Sequence, residues 1–156
     1  MVKAIRCRFA LAAALWLGAA GFCVVGVQAA GAPAEVVQAL GLTAGLAVCV
    51  GGDGQAGPAM AVGNDLCVQV MALDAEGVTA VRLAAAAAGL GGRVTAERLD
   101  GGRLPLVDNL ANLAIVAGTS AVPAAEVARV LAPRGIAAFP AGQALPPTPP
   151  DRKSGV

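Results

Sequence analysis

Short, uninterrupted apolar runs closed by glycine or aspartate, each separated from the next by a helix-favouring stretch, constrain this chain more than any other feature. Leu46–Val50 ends at Gly51-Gly52-Asp53-Gly54, and Leu66–Leu73 ends at Asp74. Arg93–Leu99 ends at Asp100-Gly101-Gly102, and Leu110–Ala117 and Gly135–Phe139 follow. Runs of this length without polar alternation suit strands buried on both faces. Between them, Ala34–Leu42, Gln55–Val62, Val78–Ala88 and Ala124–Leu131 have helical spacing or alanine-rich composition. Pro58 is tolerated only if it lies in the first turn of its helix. Strands alternating with helices predict an α/β domain: a doubly wound parallel sheet of about five strands, order 3-2-1-4-5, with right-handed crossovers.

The 156 residues leave room for one such domain, expected over residues 33–140. Residues 1–29 read as a leader. Lys3, Arg6 and Arg8 form a positive start, and Phe9–Val27 is an uncharged run of 19 residues. Val27-Gln28-Ala29 offers cleavage after Ala29. Cleavage after Ala32 also suits the small-residue rule, but Pro33 disfavours it. The run is also just long enough to span a bilayer, so a retained membrane anchor is the alternative. Cys23 invites a lipid-anchor reading, which bulky Phe22 before it opposes. Either way the domain is expected to be exported, periplasmic or secreted, and to meet a membrane only through this segment. Residues 141–156, with Pro146-Pro147-Thr148-Pro149-Pro150, are expected to form an extended or disordered tail.

Without the leader, 8 basic residues face 10 acidic ones, and Phe139 is the one aromatic of four that remains. A net charge of −2 with almost no stacking surface opposes nucleic-acid binding. With no histidine in the chain, triads and histidine-ligated metals are excluded, and no metal site is expected. Cys49 lies near the end of its run and Cys67 at the start of the next. Parallel pairing then sets them several residues apart, too far for a disulfide.

Two features suggest a ligand crevice. Glycines at Gly51, Gly52 and Gly54, around Asp53, let backbone approach a ligand, although a plain turn explains them as well. Asp74 closes the neighbouring run, where an acid can accept hydrogen bonds from ribose hydroxyls or cap the helix that follows.

Further along, Leu99-Asp100-Gly101-Gly102-Arg103-Leu104-Pro105, Asp108-Asn109 and Arg129-Val130-Leu131-Ala132-Pro133-Arg134-Gly135 resemble the class I S-adenosylmethionine-dependent methyltransferases and their Rossmann-like core. The resemblance covers about Gly45 to Phe139. It implies an S-adenosylmethionine crevice lined by Gly51, Gly52, Asp53, Gly54, Asp74, Leu99 and Asp100, with Asp100 reaching the adenine amino group. It points to no particular catalytic residue. The Leu-Asp-Gly-x-Arg-Leu-Pro and Asp-Asn-Leu-x-Asn-Leu stretches are more specifically similar to methyltransferase-like modules fused to exported β-propeller (pyrroloquinoline-quinone-protein-like) proteins, which implies a β-propeller partner. The chain departs from the family pattern at Cys49, where an acid is usual, in a glycine loop one residue shorter, and at Arg134, where a second glycine is usual. The sheet is also expected to be truncated after the fifth strand, where the family has seven, and these departures imply the alternative of a degenerate, non-catalytic binding or spacer module or a piece of a β-propeller fusion protein.

Overall fold

The computed structural model describes residues 25–29 (backbone only), 32–117 and 120–140. Six parallel strands form one sheet: β1 (Val25–Ala29), β2 (Ala44–Gly51), β3 (Asp65–Ala72), β4 (Val94–Arg98), β5 (Ala111–Ala117) and β6 (Leu131–Pro140). Their order is β1-β6-β5-β2-β3-β4. The five strands read from the sequence occupy the expected order, with β2 central. The sixth, β1, comes from the end of the run read as leader. Its residues pair with β6 from Val25↔Ile136 to Ala29↔Pro140. An apolar run with two valines meets the needs of a strand and of a leader equally, which is why the run alone did not reveal it.

The helices are α1 (Pro33–Leu40), α2 (Ala56–Ala61), α3 (Ala75–Ala87) and α4 (Ala124–Val130). Pro33 takes the first position of α1, where its missing N–H costs nothing. Pro58 falls in the first turn of α2. Helix α3 begins at Ala75, earlier than its alanine-rich stretch suggests. Asp74 caps it, its Oδ1 accepting from the Gly77 N–H at 2.7 Å.

Both faces of the sheet are covered. On one, α1, α2 and α3 bury Val37, Met60, Val81 and Ala85 against Cys49, Val68, Val70 and Ile115. On the other, α4 and the β4–β5 connection bury Val127, Val130, Leu99 and Leu104 against Val48, Val50, Met71 and Phe139. No side-chain polar atom is buried without a partner among the described residues. The register sets Cys67 opposite Leu46 and Cys49 opposite Val70. That offset of three residues, roughly 10 Å, keeps both thiols free, with Cys49 buried and Cys67 exposed.

The β5–β6 ladder breaks between Ala111↔Leu131 and Leu113↔Ile136, so residues 132–135 bulge out opposite Asn112. A Cβ on Gly135 would stand 2.8 Å from the Ala132 carbonyl oxygen and 3.0 Å from that of Ala111. Arg134 there adopts φ 68°, a left-handed conformation costing a side-chain-bearing residue about 1–2 kcal/mol. The usual family glycine at this position thus has a backbone reason. Arg134→Gly is expected to raise Tm by a few degrees, a net gain of about 0.5–1 kcal/mol after glycine's extra unfolded-state entropy. Thermal melts of the two proteins check it.

Candidate cofactor site

Strand β2 delivers its chain to the sheet's C-terminal edge, where Gly51 and Gly52 turn it with φ of 75° and 89°. A Cβ on Gly51 would stand 2.6 Å from the Ala117 carbonyl oxygen. The approach of β5, rather than a ligand, therefore demands glycine there. Gly52 has more room, since a Cβ there would meet the Ala117 and Ala56 methyls at 3.3 Å. At Gly54 a Cβ would lie 2.7 Å from that of Ala80, so this glycine lets the loop sit directly on α3. Asp53 accepts from the Gln55 N–H at 3.1 Å, and an Asx turn of this kind leads the chain into α2.

An open cleft of about 260 Å³ lies between this loop and the start of α3. Gly52, Asp53 and Gly54 form one wall; Leu73, Asp74, Glu76 and Gly77 form the other. Ala72 and Val81 are among its apolar lining. Leu73 is 53 % exposed, an apolar rim on an otherwise acidic mouth. The lining contains three acids and neither lysine nor arginine.

Of the seven residues implied for the crevice, Gly52, Asp53, Gly54 and Asp74 meet at this cleft. Asp74 is the helix cap, yet capping engages Oδ1, and a carboxylate can accept on both of its oxygens. The two readings of this residue are compatible. Gly51 is packed beneath Ala117, and Leu99 turns into the second-face core, 8 % exposed. Asp100 lies two residues past the last β3–β4 rung, Ala72↔Arg98, just as Asp74 does on β3. The Leu99 N–H continues that alignment by donating to the Ala72 carbonyl at 2.8 Å. Asp100 is outside the cleft wall and pairs with Arg98, whose Nε and Nη2 donate to its Oδ1 at 2.8 and 2.6 Å. Glu76 joins the wall although no motif singles it out. Its signal was its place in the first turn after Asp74.

Where the family has an acid, Cys49 is a buried thiol. Burial, with the nearby negative charge of Asp53 adding to it, pushes its pKa up to about 12. It stays uncharged and donates weakly to the Gly51 carbonyl at 3.6 Å. It cannot replace a carboxylate as an acceptor.

The segments that carried the family resemblance are held together by Arg129. Its Nε and Nη2 donate to the two Glu126 carboxylate oxygens at 2.9 and 2.6 Å. The same guanidinium reaches the carbonyls of Leu106 and Leu104 at 2.9 and 3.1 Å, and pairs with Asp108. Glu126 also accepts from the Leu104 N–H at 2.9 Å. The β4–β5 connection is thereby fastened to α4. Hydrogen bonds from Arg129 hold the Glu126 carboxyl below the usual carboxylate range, against the opposing effect of its burial.

No protein-family model and no curated relative matches the chain. Solved structures do match the fold. A protein from Methanococcus maripaludis described as an S-adenosyl-L-methionine-dependent methyltransferase superposes with a TM-score of 0.60 at 22 % identity, over 69 % of this chain and 55 % of that one. A methyltransferase from Geobacter sulfurreducens, solved with S-adenosyl-L-homocysteine, gives 0.58 at 19 % identity, over 70 % and 47 %. The [4+2]-cyclase SpnF gives 0.57 at 22 % identity, over 64 % and 40 %. The chain has the Rossmann-like fold of the class I methyltransferases and spans about half the length of these structures. The cyclase illustrates that this fold hosts more than one chemistry.

Three measurements test this geometry. Arg129→Ala removes the guanidinium from Glu126, Asp108 and two carbonyls, and denaturant melts are expected to show a loss of about 2–3 kcal/mol. The stability due to Glu126 is fully present above the unfolded carboxyl value near 4.3 and is lost as pH falls through the lower folded value. Melts below about pH 4.3 should therefore fall less steeply for Glu126→Gln. In the native protein, a thiol reagent is expected to label Cys67 rapidly and Cys49 only on unfolding.

Proposed function

We propose that this domain binds an S-adenosyl nucleoside in the cleft between the glycine loop and α3, as a methyltransferase-like module. The observation that carries this reading is the charge of the cleft: Asp53, Asp74 and Glu76 with no basic residue. Such a lining accepts hydrogen bonds from ribose hydroxyls and suits a cationic ligand, whereas a pyrophosphate would be repelled. Among ligands common to Rossmann-like folds, this favours a sulfonium nucleoside over dinucleotides. The volume of about 260 Å³ falls just below the ~300–1,000 Å³ of most small-molecule sites. The sugar therefore occupies the cleft, and the base extends over the open rim toward Asp100.

In this reading Asp74 accepts from the ribose while it caps α3, and Gly52 and Gly54 keep the loop low enough for close approach. Leu73 supplies apolar cover beside the base. When bound, the sulfonium supplies an electrophilic methyl group. The chain's own residues contribute positioning and charge, which is what methyl transfer chiefly needs. Export by the leader and a β-propeller neighbour belong to the same proposal, supported by the motifs at Leu99–Pro105 and Asp108–Leu113.

A second reading, a binding or spacer module without transfer chemistry, is favoured by Cys49. A neutral thiol replaces the acid at the base of the glycine loop, and α2 behind it has only six residues.

Calorimetric titration with S-adenosylmethionine, S-adenosylhomocysteine and NAD separates these possibilities. The two adenosyl ligands are expected to bind and NAD to fail. Asp74→Asn preserves the helix cap, since asparagine caps as well as aspartate. It should leave Tm nearly unchanged while weakening binding tenfold or more, the effect of losing charge-assisted hydrogen bonds of about 1.5–3 kcal/mol. No binding of S-adenosylmethionine at millimolar concentration would reject the first reading. Binding without methyl transfer to any acceptor supports the second.

A further inference from the structure

The edge strands of the sheet are β4 and β1, each of only five residues, and they cover different neighbours. At one edge, β4 has only five residues, with Thr95, Glu97 and Arg98 exposed. Arg82 reaches over from α3 to donate to the Ala96 carbonyl at 2.9 Å. Short length, charge and a side chain bonded to the strand all discourage pairing with another chain. At the other side, β6 from Gly135 to Phe139 carries no charge, and Ala137, Ala138 and Phe139 are at most 1 % exposed. Its outer backbone groups are satisfied by β1, through five consecutive rungs from Val25 to Ala29. Cleavage after Ala29 would remove every one of these rungs and leave a bare apolar edge, the type of strand that aggregates.

The sequence upstream of β1 offers a different processing site. After Lys3, Arg6 and Arg8, Phe9–Leu17 is an uncharged apolar run of nine residues. Nine residues fall within the ~7–15 of a secretory apolar region, whereas the 19 residues to Val27 exceed it. Gly18-Ala19-Ala20 then places small residues at the −3 and −1 positions. We propose that the leader is cleaved between Ala20 and Gly21, so that β1 stays in the exported protein as the permanent cover of the β6 edge. The step is hydrolysis of that one peptide bond by the exporting cell's leader peptidase, with water as co-reactant. It leaves a new α-amino group on Gly21 and four residues before Val25.

The test is expression of the full chain, with its own leader and a C-terminal tag, in an exporting Gram-negative host, followed by intact mass and N-terminal sequencing. The expected first residue is Gly21. Ala20→Leu should block processing, and Ala29→Leu should leave it unchanged. A first residue of Ala30, or a block caused by Ala29→Leu instead, overturns the placement. A chain that keeps its leader overturns both the placement and the leader reading beneath it. Amide exchange on the processed protein adds an independent readout, in which residues 136–139 should be protected as in a central strand.

Discussion

The structure depends on how closely its layers can approach. Outside the leader run the chain has one aromatic residue, Phe139, and its core is otherwise mostly valine, leucine and alanine with two methionines. Small side chains remove little area from water individually, so the sheet and helices must lie close together for burial to suffice. Glycine and alanine make that possible at defined points. A Cβ on Gly57 would stand 2.5 Å from a methyl of Val70, and one on Gly54 2.7 Å from that of Ala80. The α2 region is thereby drawn down onto β3 and α3. The same closeness shapes the cleft, because the loop that forms one wall rests directly on the helix that forms the other.

This dual use of glycine revises what the glycine-rich loop means. Three of its four residues are glycine, which invites the inference of a ligand cradle. Yet Gly51 is required by the Ala117 carbonyl and Gly54 by Ala80, so both are explained without any ligand. Gly52 is the glycine that lines the cleft without so severe a packing demand. The proposed nucleoside reading therefore rests less on the glycines than on the acids facing one another across the cleft.

The legible parts of the fold were those governed by local pattern. Apolar runs closed by glycine or aspartate gave five of the strands, their alternation with helices gave the order, and Pro58 fits its helix only because it falls in the first turn. Asp74 was legible as the cap of the helix that follows it, and the structure shows that cap. Long-range contacts left less trace. Nothing in the sequence near Arg129 shows that it meets Leu104, Leu106 and Asp108, more than 20 residues away. Leu99, read as the end of a strand and as a crevice residue, lies just past β4 and packs into the second-face core, a long-range contact that the local pattern does not carry. The leader reading of residues 1–29 hid β1 because hydrophobicity alone does not distinguish a leader from an edge strand.

The fastening of the β4–β5 connection has a consequence for how this protein opens. On the second face that connection covers sheet which α4 alone is too short to shield. Its amides are tied to the helix at both ends: Leu104 donates to Glu126, and Asn109 and Leu110 donate to the carbonyls of Arg129 and Val130. A loop held this way cannot fray residue by residue. It is expected to detach together with α4, which would expose Val50, Met71 and Phe139 at once. The proposed cleft lies against α3 on the opposite face, away from the contacts that Arg129 makes.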